Sequence, residues 1–212
     1  MGLMKVGAGI AGVAGSTGVG VLGAYYFGVF STNKNDIRSK LIESNWVILE
    51  DSNKEHESHW STALKKYKEK HSDKNQLTES QLKGICKDLL NSEDDKNYEE
   101  ARKYCVVPRT ISERLSDLKF QLLNTTAGTS NNADQQKWTS VVNKYKTEGI
   151  ETKELDGLKT SSLNNDGTNW STLKDKCKTV SEKDHWSEKY DLLVEGSKTW
   201  CTLQGFNNLS NV

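Results

Sequence analysis

Residues 4–20 read MKVGAGIAGVAGSTGVG, and two folds compete for them. Gly7, Gly9 and Gly12 have the G-x-G-x-x-G spacing of a dinucleotide-binding turn, where glycines let the backbone approach a pyrophosphate at a helix N-terminus. Such a turn needs a buried strand before it, a helix after it, and an acidic residue about 20 positions on for a ribose hydroxyl. Only Met1 to Val6 precede Gly7, and no acidic residue occurs before Asp36. Nor does the remaining chain alternate apolar strand runs with helices, as a doubly wound sheet requires. The competing reading takes all of Val6 to Phe30, 25 consecutive uncharged residues. As a helix this run crosses a hydrocarbon layer about 30 Å thick. Ala8, Gly12, Ser16, Gly20, Ala24 and Gly28 recur at every fourth position and line one face, the small-xxx-small pattern by which transmembrane helices approach closely. Tyr25 and Tyr26 stand near its end, where amphipathic rings favour the headgroup region. Leu22 spoils the small-residue pattern before a cut after Ala24, so the expected element over residues 1–30 is an uncleaved transmembrane signal anchor. A flavin or nicotinamide oxidoreductase built on Gly7, Gly9 and Gly12 is the alternative it displaces.

The rest of the chain is poor in apolar residues. Hydrophobic residues make up 34% of the 212, the mean hydropathy is −0.74, and Val6 to Phe30 takes a dense share of the apolar ones. A small-cored, mainly α-helical body follows, with Lys, Glu, Asn and Ser on its surface and Pro108 as its single proline. Lys plus Arg equals Asp plus Glu at 29 each, with the signs interspersed, so no one-signed field exists to recruit nucleic acid.

Within the body the same phrases occur twice, in the same order. Trp60-Ser-Thr-Ala-Leu-Lys-Lys-Tyr67-Lys is answered by Trp138-Thr-Ser-Val-Val-Asn-Lys-Tyr145-Lys. Leu82-Lys-Gly-Ile-Cys86-Lys is answered by Leu173-Lys-Asp-Lys-Cys177-Lys, and Tyr104-Cys105 by Trp200-Cys201. The preserved order predicts two degenerate helical repeats, 31–123 and 134–212, joined by the polar linker 124–133. Helical spacing recurs inside each: Ile37, Leu41, Val47 and Ile48 on a first helix; Trp60, Leu64 and Tyr67 on a second. Thr78-Glu-Ser-Gln81 and Thr110-Ile-Ser-Glu113 read as capping boxes, the second before Leu115, Leu118 and Leu122. Trp138, Val141, Val142 and Tyr145 share a face, as do Trp170, Leu173 and Cys177, then Trp186, Tyr190 and Leu193; spaced with Leu and Tyr, these tryptophans belong to the core.

Four cysteines allow three pairings, or four buried thiols. If the repeats are real, each closes its own bridge, Cys86 with Cys105 and Cys177 with Cys201, and such bridges favour an oxidising side of the membrane. No C-x-x-C or C-x-x-H pair suggests zinc, and the "HESH" of His56 to His59 is one residue short of H-E-x-x-H, so no metal and no cofactor are expected. His71 and His185 show no partner group. A nucleophile elbow, a Walker loop and a kinase set are all missing, and the carboxylates of Glu93-Asp94-Asp95 and Glu99-Glu100 read as a solvated face, so no catalytic residue is assigned.

The Gly/Ala-rich apolar start ("VGAGIAGVAG…LGAYY") followed by a Lys/Glu/Asn/Ser-rich helical body with scattered Trp and paired Cys resembles the short paralogous hypothetical proteins of haemotropic mycoplasmas. That resemblance implies a wall-less bacterium living on red cells and a membrane-anchored member of a large, variable family linked to immune evasion. It carries no activity. The expected protein is single-pass, held in the cell membrane through residues 6–30, with an extracellular body that acts by binding a host-surface partner or by antigenic variety. Self-association through the small-residue face, as an inward-facing scaffold, is the alternative.

Overall fold

The chain is mainly α-helical in the computed structural model, which describes residues 35–126, 134–149, 154–163 and 169–210. The expected anchor, with its face of Ala8, Gly12, Ser16, Gly20, Ala24 and Gly28, lies outside the described residues, as do residues 127–133 of the expected linker. Among the described residues no helix is long and apolar enough to cross a membrane.

Helix α1 (Ile37–Glu43) begins where Asp36 Oδ1 accepts the Ser39 N–H at 2.8 Å, and it buries Ile37 and Leu41. It stops sooner than its apolar stripe suggests. Asn45 takes a left-handed φ of 59°, which an asparagine tolerates better than most residues, and turns the chain into an extended segment. Val47 and Ile48 are therefore not on α1: Ile48 forms an antiparallel bridge with Val106. Helix α2 (Glu57–Lys70) buries Trp60, Ala63 and Tyr67. Helix α3 (Glu79–Leu90) starts from a complete Thr78/Gln81 capping box and buries Leu82, Cys86 and Leu90. Helix α4 (Tyr98–Tyr104) ends at Cys105, which is disulfide-bonded back to Cys86.

The sequence of elements then starts again. Helix α5 (Ile111–Asp117) opens on the Thr110/Glu113 capping box and stops before Lys119, whose φ of 66° turns the chain as Asn45 does. Leu118 and Leu122 consequently leave the helix, and Leu122 bridges to Thr202 as Ile48 bridges to Val106. Helices α6 (Gln135–Glu148), α7 (Asn169–Ser181) and α8 (Tyr190–Trp200) follow, Cys201 closes onto Cys177, and α9 (Leu203–Ser210) ends the described chain.

The two series share individual contacts. Trp46 N–H donates to Leu41 O at 2.9 Å, and Phe120 N–H to Leu115 O at 2.8 Å. Leu49 N–H reaches Cys105 O at 2.9 Å, and Leu123 N–H reaches Cys201 O at 2.9 Å. Tyr67 meets Tyr104 edge-on with centroids 4.9 Å apart; Tyr145 meets Trp200 edge-on at 4.9 Å. Ile37 N–H binds Ser92 O at 2.9 Å, and Ile111 N–H binds Lys183 O at 2.8 Å. The contacts of α5 thus match those of α1, and the recurrence runs from Asp36 to Val106 and from Thr110 to Thr202. One continuous core serves both series, and five of the six tryptophans (Trp46, Trp60, Trp138, Trp170 and Trp200) lie in it.

Candidate functional site

The residues with the most perturbed surroundings gather where the two series meet. Trp46, 6% exposed, is the centre. The Arg114 guanidinium, carried by α5, lies 4.0 Å from its ring centroid, and that of Arg102, on α4, 5.8 Å. Arg114 also donates to the carbonyl oxygens of Ser44 at 2.6 Å and Asn45 at 2.8 Å, the orphan acceptors at the end of α1. Its fork geometry lets one side chain serve both oxygens while stacking on the ring. Burial pushes the Arg114 pKa down. Arg102 is held by Glu99 at 2.7 Å on its own helix and by Asp191 at 3.1 Å across the seam, while its Nε and Nη1 are buried without a hydrogen-bond partner among the described residues.

His185 closes the other side, its ring edge-on to Trp46 at 6.0 Å. Its Nδ1 accepts the Arg109 N–H at 3.3 Å, which leaves Nε2 to donate to Lys103 O at 3.0 Å. With both nitrogens engaged and only 2% of the residue exposed, burial drives its pKa down to about 4, against the smaller upward effect of the Lys103 hydrogen bond. Trp186 Nε1 donates to the same Lys103 oxygen at 2.9 Å, and Tyr190 OH to Arg109 O at 3.2 Å. Burial raises the Tyr190 pKa steeply, so it stays a neutral donor. Two cations on one indole and a neutral, doubly bonded imidazole form a joint between halves. Both ring nitrogens of His185 are taken up by these hydrogen bonds.

A depression of about 630 Å³ lies nearby, lined by Asp156, Lys183, Ser187, Lys189 and Leu192. Burial opposes the charge on Asp156, but the hydrogen bonds and charges of Lys183 at 2.9 Å and Lys176 at 3.4 Å hold its carboxyl below the usual range.

The cysteines are paired within each series, Cys86 with Cys105 and Cys177 with Cys201, at Cα separations of 5.4 and 5.6 Å, and all four are buried. In the HESH stretch, His56 accepts the Glu50 N–H at 2.9 Å through Nδ1, and the His59 ring lies 6.2 Å away. Burial, with His59 adding to it, lowers the His56 pKa. Among the described residues no group of three or more His, Cys, Asp or Glu is placed to hold a metal ion. His71, without a partner in the sequence reading, stacks on Tyr67 at 4.1 Å, its Nε2 lying 3.1 Å from Glu100 Oε1. The joint itself had no sequence signal beyond the unusual Asp184-His185-Trp186 in a polar stretch. No family model, no curated protein and no solved structure matches the chain.

Proposed function

We propose that this chain is a membrane-anchored protein whose helical body is displayed outside the cell, acting by binding or antigenic variation and not by catalysis. The observation that carries the reading is the pair of disulfides, since such bonds persist on the oxidising side of a membrane and are rare inside reducing cells. The uncharged run Val6 to Phe30 supplies the anchor. The histidines add support, because His56 and His185 are engaged in hydrogen bonds to the backbone and His71 is stacked on Tyr67. The source this reading favours is a wall-less, red-cell-associated bacterium of the haemotropic mycoplasma kind, in which a body so displayed faces the host directly.

Within this reading the body is a tandem duplicate of one helical unit, 36–106 and 110–202. Support comes from the matched turns at Asn45 and Lys119, the matched bridges at Ile48 and Leu122, and the matched ring pairs. A duplicated scaffold pinned by disulfides tolerates surface change without loss of the core, which suits variable display.

The test is protease treatment and impermeant thiol labelling of intact cells, with non-reducing peptide mapping of the same protein. Display predicts cleavage of the body in intact cells and the two bridges in the map. Protection from protease, with four free thiols reached only after lysis, would place the body inside and favour an inward-facing scaffold assembled through Gly12, Ser16 and Gly20.

A further inference from the structure

We infer that this chain associates head to tail with copies of itself, the face around Phe120 and Lys198 on the second unit receiving the Lys40–Asp95 face on the first unit of the next copy. The inference rests on the two-unit reading of the body and not on its display. Inside one chain the units meet through unlike faces. The first presents Trp46, Arg102 and the carbonyl oxygens of Ser44 and Asn45; the second answers with Arg114 and Asp191. Because the units are equivalent, each of these faces has a counterpart elsewhere on the body; among the described residues the counterpart of the first face is met along one edge by α9, where Gln204 Nε2 donates to Lys119 O at 3.0 Å, and is otherwise open.

The counterpart of the first face keeps its internal geometry. Lys198 Nζ stands 5.5 Å from the Phe120 ring centroid, as the Arg102 guanidinium stands 5.8 Å from Trp46. Each cation is held by a glutamate three residues earlier, Lys198 by Glu195 at 2.6 Å and Arg102 by Glu99 at 2.7 Å. Covering is what differs. Trp46 and Ile48 are buried, at 6% and 5% exposed, whereas Phe120 and Leu122 at the matching positions are only partly buried. They line an open depression of about 470 Å³ with Ser116, Lys119 and Gln204.

The second face also has its match. Lys40 stands where Arg114 does on the equivalent helix, and Asp95, paired with Lys40 at 2.6 Å, stands nine residues before Tyr104, as Asp191 stands nine before Trp200. The Asp95 side chain is 83% exposed, and Glu93 and Asp94 beside it are exposed too. This acidic edge complements Lys119 and Lys198 on the receiving face. In the seam Arg102 bridges Glu99 and Asp191; between copies Lys198 bridges Glu195 and the Asp95 of the next copy. The contact is heterologous, so an array of any length keeps one free face of each kind, at its two ends, and stays open-ended. The aromatic cap of His185, Trp186 and Tyr190 is replaced at this end by Ser92-Glu-Asp-Asp-Lys96, so the contact between copies is mainly ionic and weakens with salt.

Sedimentation velocity of the full chain in a mild non-ionic detergent, over a concentration series at low and high salt, tests this. The expected result is a mass that grows with concentration past the dimer at low salt and shrinks at high salt. Lys198→Glu and Asp95→Lys, each checked for an unchanged helical spectrum, should weaken association about tenfold or more, and mixing the two variants should restore it. A chain that stays single throughout, association untouched by both reversals, or a mixture that fails to recover would each overturn the inference. So would association lost only on changing Gly12, Ser16 and Gly20 to leucine. Hydrogen exchange of Leu49 and Leu123 in the same preparations reads the two-unit premise separately: matched protection keeps it even where association fails, and unmatched protection removes it.

Discussion

The Arg114 guanidinium stacks 4.0 Å from the Trp46 ring centroid while capping two carbonyls at the end of α1, so one side chain ties the start of the second series to the start of the first. Arg114 is 7% exposed, and its guanidinium donates to the carbonyl oxygens of Ser44 and Asn45. Its contribution is therefore packing plus satisfaction of two buried acceptors.

Arg114→Ala removes the stacking cation and strands both oxygens, a loss of about 2–4 kcal/mol from the sum of cation–π and unsatisfied-acceptor costs. Arg114→Lys keeps the charge but cannot fork to both carbonyls, and should lose less than the alanine variant. Urea unfolding followed by tryptophan fluorescence ranks the three proteins, and an alanine variant as stable as the parent would remove the joint from the stability of the body.

His185 sets the response to acid. Its folded pKa of about 4 lies below the unfolded value near 6.5, so the unfolded chain takes up the proton first as pH falls. The stabilisation is complete above pH 6.5 and is lost progressively down to about pH 4, amounting to about 3 kcal/mol. Asp134 and Asp156, both lowered, add a further loss only below the ordinary carboxylate range. A glutamine at 185 can accept from Arg109 and donate to Lys103 without titrating. His185→Gln should flatten the stability profile between pH 6.5 and 4, and an unchanged slope would assign the titration to another group.

The disulfides close loops of 19 and 24 residues, which the chain-entropy relation makes nearly equal in effect, about 3 kcal/mol each. Paired alanine substitution of Cys86 and Cys105, or of Cys177 and Cys201, should thus lower the thermal midpoint by similar amounts. A large difference between the two would show that one bridge restrains structure already held by the core.

Sequence reading reached those features whose chemistry is local. Thr78 with Gln81 and Thr110 with Glu113 announce their helices because both cap partners lie within one turn. The cysteine pairs followed from the order of repeated phrases. The breaks after α1 and α5 were not legible, because Val47, Ile48, Leu118 and Leu122 keep a helical period and nothing marks Lys119 for a left-handed turn. The joint was hidden for a different reason: Trp46, Arg102, Arg114 and His185 are distant in the chain, and only tertiary packing makes a lone histidine and two surface-type arginines into buried partners.

Two glycines separate backbone propensity from packing. Gly84 sits exposed within α3, and a methyl group there meets no atom outside its own helix within 4 Å among the described residues. Gly84→Ala should stabilise the protein by about 0.5–1 kcal/mol through lower unfolded-state entropy and better helix propensity. Gly205 lies in α9 where that helix folds back on the end of α8, and an added Cβ collides with the carbonyl oxygens of Lys198 and Thr199. Since those are backbone atoms that cannot rotate away, α9 must shift, and Gly205→Ala should cost about 1–3 kcal/mol. Thermal unfolding of both variants checks the pair. A destabilised Gly84→Ala would mean that α3 is covered on its outer face, while a neutral Gly205→Ala would mean that α9 is free to move off α8.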